Sequence, residues 1–229
     1  LGISYYFLGD LDRVIDLFEQ SIAILEAVES PASASVIGDL GVIYQDLGDY
    51  DQALALHQQH LDIAQAIGSR SEEARALNNL GVAYSSLGDY ETALELYQQS
   101  LAIFREVGAK VREGIALARL GQLLADQDQP ELAIVFLKAS VDVQEAIRGN
   151  ISGLDVEIQQ SFVNTVADDY RLLADLLLQE NRIIEAQRIL DLLKVQELDD
   201  YLQDVQRSAQ TETGVEFWQP EETILALYE

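Results

Sequence analysis

The chain has 229 residues, 48 % of them hydrophobic, which is enough apolar material to build a core and argues against wholesale disorder. Its 40 acidic residues against 14 Lys plus Arg give a formal net charge of -26, which repels phosphate backbones and anionic lipid and would steer in a partner with a basic face, although solubility alone is the plainer reading. Cysteine is absent and no run of about 18 apolar residues occurs, so a disulfide framework, a cysteine nucleophile and a membrane span are not expected, and a reducing, cytoplasmic setting suits the composition.

The chain opens on "LGISYYFLGD" and contains no methionine, so it reads as part of a longer protein. The pair Leu-Gly recurs at Leu1-Gly2, Leu40-Gly41, Leu80-Gly81 and Leu120-Gly121, at spacings of 39, 40 and 40 residues. Three residues beyond each glycine lie Tyr5, Tyr44, Tyr84 and Leu124, and twelve beyond lie Val14, Ala53, Ala93 and Ala133. Sixteen beyond come Phe18, His57, Tyr97 and Leu137, and the apolar set Val28, Ile67, Val107 and Ile147 closes each unit. Agreement at so many offsets marks an internal repeat, and a period of this size implies a solenoid.

Each unit is predicted to be two helices. In the unit at Gly81, the residues Tyr90, Ala93, Leu94, Tyr97, Leu101 and Phe104 trace one apolar helical face. The "LGD" turns end one helix on Gly9, Gly48 or Gly88 and cap the next with Asp10, Asp49 or Asp89, Gln52 completing a capping box on Asp49. In the fourth unit, "DQDQPEL" puts Asp128 in the glycine's place and Pro130 in the first turn of the following helix. Gly41, Gly81 and Gly121 predict close helix crossings, with Ala53, Ala93 and Ala133 as the reciprocal flat positions.

After Gly149 the repeat lengthens. Ala174 takes the glycine position, but Ala186 follows Ala133 by 53 residues, which predicts a thirteen-residue extension, mostly in a helix from about Leu154 through Gln179. The next helix should run from Ile183 to about Val205. The domain plan is therefore residues 1–149 as four hairpins, the first truncated, 150–207 as a modified fifth hairpin, and 208–229 as a linker toward a further module. The fold class is all-α: a right-handed α-solenoid of about five hairpins.

The columns quoted above resemble the signature of the tetratricopeptide repeat family, and the forty-residue period resembles its long-helix subtype, found in kinesin light chains. The stretch from "SGLDVEIQQSFVNTV" to "QELDDYL" resembles the segment that joins such arrays to CHAT domains, which are caspase-like peptidase modules. That resemblance implies a regulatory arm whose catalytic residues would lie beyond Glu229 and carries no catalytic residue onto this chain.

His57 and His60 offer i, i+3 imidazoles, but both occupy packing columns and no third ligand accompanies them, so no metal and no cofactor are expected. No nucleophile elbow or phosphate loop is present, and the adjacent pairs Asp168-Asp169 and Asp199-Asp200 diverge by about 100° around a helix. No enzymatic activity is expected. The expected role is a non-catalytic scaffold for a protein or peptide partner, with nucleic acid and membrane disfavoured; contact with a downstream domain of the same protein is the alternative. A stripe at positions -3, +1 and +4 from each glycine, Val42 and Gln45, Asn78, Val82 and Ser85, Ala118 and Gln122, then Arg171, Asp175 and Leu178, is the candidate partner groove, against a plain solvated face. The resemblance implies that this stripe lines a concave surface. The cationic carboxylate clamp of chaperone-binding members is mostly missing from it, with Gly38, Asn78, Ala118 and Arg171 at -3 and Val42, Val82, Gln122 and Asp175 at +1.

Overall fold

The computed structural model describes residues 11–28, 30–151 and 153–193. Helix α1 spans Leu11–Ala27, α2 Ala32–Asp46, α3 Tyr50–Ala66, α4 Arg70–Ser86, α5 Tyr90–Glu106, α6 Lys110–Asp126, α7 Pro130–Ile151 and α8 Val156–Gln179. A ninth helix, α9, covers 183–193. The expected turn at Gly9-Asp10, the end of the last helix near Val205 and the linker at 208–229 lie outside the described residues. The described chain is an all-α solenoid in which each helix packs on the one before it, and α2 also touches α4.

The period has a simple local origin. Helices α3, α4, α5 and α6 each have 17 residues and are separated by turns of three, so a hairpin with its connection takes 40 residues. The turns from α2 through α7 are all closed in the same way. Gly48 has φ 78°, and its N–H donates to the Gln45 carbonyl while that of Asp49 reaches back to the Tyr44 carbonyl at 2.9 Å. This is the Schellman pattern, which needs a left-handed residue and satisfies carbonyls the helix leaves open. It recurs at Gly68, Gly88, Gly108 and Asp128, one left-handed residue every twenty, and again at Asn181. The turns inside the hairpins and those between them are therefore the same device.

The caps differ in one respect from the expected box. Asp49 accepts the Gln52 N–H at 3.2 Å, and Asp89 accepts that of Thr92 at 3.3 Å. The reciprocal half of the box is missing at Asp49, because its own N–H is already donated to Tyr44 in the Schellman turn. Pro130 opens α7, where its missing N–H costs nothing. The thirteen-residue extension is shared: α7 runs for 22 residues and α8 for 24, with Gly149 continuing the helix rather than ending it.

The recurring glycines mark the crossings within hairpins. A Cβ on Gly81 would lie 2.7 Å from the Tyr97 ring, one on Gly41 2.6 Å from His57, and one on Gly121 2.5 Å from Leu137 Cγ. Each glycine thus receives the side chain sixteen positions later, while Ala53, Ala93 and Ala133 are completely buried beside these crossings. The apolar core runs along the array. One cluster gathers Leu61, Leu77, Leu80, Tyr97, Phe104 and Leu117, and the next holds Leu124, Ile134, Leu137, Tyr170 and Leu177. Leu94 and Phe136 pack against both. Acidic residues lock the turns between hairpins: Glu73 accepts from Arg70 at 2.6 Å, and buried Glu113 accepts from Arg105 at 3.0 Å and Lys110 at 2.7 Å.

Two consequences are measurable. Gly81→Ala gains about 1 kcal/mol of helix propensity but forces a methyl into a buried ring, where overpacking costs about 1–3 kcal/mol. The expected result is a lower urea midpoint, whereas Gly114→Ala, whose Cβ meets nothing nearer than Val143 at 3.4 Å, should raise it. His57 supplies the second. It is fully buried with both ring nitrogens unpartnered, and burial, then His60 and Arg75, lower its pKa to about 4. The unfolded chain, with an ordinary value near 6.5, binds the proton first. Stability should therefore fall as pH drops from about 6.5 to about 4, by up to roughly 3 kcal/mol. His57→Phe, which places the Phe18 residue type in that slot, should flatten this part of the profile in denaturation curves taken from pH 7 to 4.

Candidate functional site

The first helices of three successive hairpins, α2, α4 and α6, enclose a cleft of about 210 Å³. Helix α2 contributes Asp39 and Val42, α4 contributes Arg75, Asn78 and Asn79, and α6 contributes Arg112, Ile115 and Arg119, with Phe104 of α5 closing it. Relative to the crossing glycines, the cleft columns are -9 (Arg112), -6 (Arg75, Ile115), -3 (Asn78), -2 (Asp39, Asn79, Arg119) and +1 (Val42). These columns span about 120° of the helix surface, and their centre lies about 50° from that of the -3, +1 and +4 stripe, on the side away from the crossing.

Val42 and Asn78 of the expected stripe line this cleft. Gln45 is half-buried with its Oε1 enclosed and unpartnered, and Val82 and Ser85 are also half-buried, Val82 packing against the cluster around Tyr97. Gln122 is exposed and donates to Asp126 at 2.8 Å. On α8, Arg171 is exposed and paired with Asp168 at 2.9 Å, while Asp175 and Leu178 face solvent. Sequence spacing overlooked Arg75, Asn79, Arg112, Ile115 and Arg119. The -9, -6 and -2 columns carried their signal, since they change chemistry from unit to unit (Ala32, Glu72, Arg112; Ser35, Arg75, Ile115; Asp39, Asn79, Arg119), as the slot sixteen residues after each crossing glycine also does.

The cleft's polar groups are partly committed and partly open. Arg75 donates to the Ser35 carbonyl at 2.8 Å and pairs with Asp39 at 3.2 Å and Glu72 at 3.3 Å, and Glu72 also meets His60 at 2.9 Å. Arg119 hydrogen-bonds the Tyr97 hydroxyl, whose pKa burial pushes up while the guanidinium pulls it down. The Arg119 Nε is buried without a partner. Asn78 is only 7 % exposed, and its Oδ1 has no hydrogen-bond partner. A buried amide oxygen left unpaired is costly.

A second groove of about 460 Å³ adjoins the first and shares Ile115 with it. Its walls come from the start of α6 (Val111, Gly114, Ile115), the end of α7 (Gln144, Ile147) and the start of α8 (Ile158, Phe162, Val166). Glu157, Ser161 and Thr165 also line it. The lining is mainly apolar, and Val111 and Ile158 are more than half exposed. Gln144 donates to Asp169 at 2.6 Å and the Tyr170 hydroxyl to Glu145 at 2.7 Å, which ties α7 to α8 beside the groove. Burial raises the Asp169 pKa, with Gln144 opposing it. Together the two grooves offer guanidinium and amide side chains and an apolar trough. Among the described residues, no three of His, Asp and Glu come together to hold a metal ion, and no helix is long and apolar enough to cross a membrane.

The architecture has close structural relatives. BtubC (BKLC) from P. vanneervenii superposes with a TM-score of 0.70 at 18 % identity, over 96 % of this chain and 82 % of that one. A putative kinesin light chain from Podosopora anserina with nearly identical TPR-like repeats gives 0.63 at 21 % identity, over 87 % and 92 %. A Rap protein complexed with Competence and Sporulation Factor gives 0.61 at 17 % identity, over 88 % and 63 %. At these identities the likeness is one of fold. No curated protein matches the sequence. The tetratricopeptide repeat family model matches residues 32–106 and 87–146, half of the chain, and with its glycine crossings and stacked hairpins the chain belongs to the tetratricopeptide repeat family.

Proposed function

We propose that this chain is a non-catalytic scaffold that holds a peptide or helix of a partner protein in the cleft between its first helices, acting in the cytoplasm. The observation that carries the reading is the cleft itself: α2, α4 and α6 present Val42, Asn78 and Arg119 to one space. Such a surface suits a segment that brings its own backbone donors and acceptors. The Rap structure solved with Competence and Sporulation Factor, and the plasmid pLS20 Rap regulator solved with the Phr* peptide, support the reading by analogy of fold. The net charge of -26 adds a long-range field that draws partners with basic patches to the outer faces.

The direct test is a peptide-library selection on the chain, followed by titration of the best binder. Val42, 37 % exposed, can be enlarged without entering the core. Val42→Trp should therefore fill the cleft and weaken the binder by about 10-fold or more with an unchanged thermal melt. A binder indifferent to Val42→Trp, or no saturable peptide at all, would remove the cleft as the site.

A second reading rests on the lengthened α8, which falls in the stretch resembling the segment before CHAT modules. In that reading the array is the sensing arm of a caspase-like peptidase and contacts the downstream module. The gene's reading frame beyond Glu229 tests it: a βαβ-rich continuation with paired His and Cys supports it, and a continuation of any other kind removes it.

A further inference from the structure

The cleft's chemistry runs opposite to that of the chain around it. The chain has 14 Lys plus Arg among 229 residues, yet three arginines line a single cleft walled by nine residues, with Asp39 as the one acidic group. Arg75 is committed to Asp39, Glu72 and the Ser35 carbonyl. Arg112 makes no ion pair or hydrogen bond among the described residues, despite the chain's 40 carboxylates. Arg119 has the Tyr97 hydroxyl, feels Asp169 at longer range, and keeps a buried Nε unpaired. Arg112 and Arg119 lie seven residues apart on α6, two turns on one face and about 10 Å along the axis, so both guanidiniums can reach one bound group. Ile115 sits between them and opens into the apolar groove toward α8.

We propose that the cleft selects an acidic-apolar segment of its partner: a side-chain carboxylate received by Arg112 and Arg119, next to a branched or aromatic side chain that enters the groove beside Ile115 and Phe162. This rests on the peptide-binding reading above and names the ligand class for that same site. The anion is a side chain because the cationic centre lies mid-way along the grooves. Val42 and Asp39 continue the surface on one side and Ile158 and Phe162 on the other, so the peptide passes through rather than ending there. A basic segment is refused locally, since at contact distance the unpaired Arg112 guanidinium, with the charge of Arg119 beside it, outweighs outer-face carboxylates that salt screens beyond about 8 Å. A charge-assisted, forked guanidinium–carboxylate contact supplies the specificity, and the apolar side chain supplies the buried area. Glu157 on the far rim of the apolar groove disfavours a second acid at that end, which orients the segment.

The test uses fluorescein-labelled twelve-residue peptides with amidated C-termini, each carrying one Glu and one Leu at spacings from one to six in a Gly/Ser/Ala background. Fluorescence polarisation should find one spacing preferred and its Glu→Lys and Glu→Gln versions weaker by about 10-fold or more, with an affinity that falls as salt rises. Arg112→Glu should lose the Glu peptide and gain the Lys version, a reversal that damage to the fold would not produce. Ile115→Glu should weaken the Leu peptide. Equal binding of the Glu and Lys peptides, an Arg112→Glu chain that binds as before, or tighter binding of a Leu peptide whose only acid is a free C-terminus would each overturn the proposal. If selected basic or neutral peptides bind and are lost with Val42→Trp, this ligand class is overturned while the wider reading stands. If no peptide of any composition responds to Val42→Trp, both fall.

Discussion

The structure depends on one close approach. Where Gly41, Gly81 and Gly121 face the side chain sixteen residues later, two helices come together over a backbone with no Cβ, and the facing side chain fills the space. A helix of 17 residues is only marginally stable alone, so its order comes from burying an apolar stripe. The crossing lets that burial happen twice per hairpin, once against the partner helix and once against the next hairpin. Chemistry at the contact is less constrained than shape: an imidazole, a phenol ring and an isobutyl group occupy the same slot at His57, Tyr97 and Leu137. The slot tolerates even a buried, unpaired histidine in the second hairpin.

Much of this is written in columns that repeat. The Leu-Gly pairs, the alanines twelve residues on and the LGD turns mark the hairpins and the turns inside them, because each column answers a local steric demand that recurs in every hairpin. The between-hairpin turns at Gly68 and Gly108 were harder to see, since the surrounding residues, such as "IGSRSEE", look like an irregular linker. They are built on the same left-handed Schellman geometry as the LGD turns. The division of the extra thirteen residues between α7 and α8 also escaped the pattern, because Gly149 reads as a helix stop and stays helical.

The cleft was only partly legible for the opposite reason. Its position depends on side chains that α2, α4 and α6 bring together from three hairpins, and that juxtaposition leaves no periodic mark on any single helix. Val42 and Asn78 fall in it because +1 and -3 are shared by the expected and observed faces. Arg75, Arg112 and Arg119 do not repeat from unit to unit, so a search for agreement between units passes over them. In an array of this kind, agreement between units reports the recurring shape of the crossings, and the cleft columns are among those that vary.

The turns themselves have a consequence for how such a protein changes over time. Since every joint from Gly48 to Asp128 closes with the same left-handed geometry at the same interval, a forty-residue block excised or duplicated between two equivalent joints rejoins without a new connection having to be invented. Recombination can therefore lengthen or shorten the array in whole hairpins, and exchange the variable first-helix side chains with them, while the crossings that hold it together carry over unchanged.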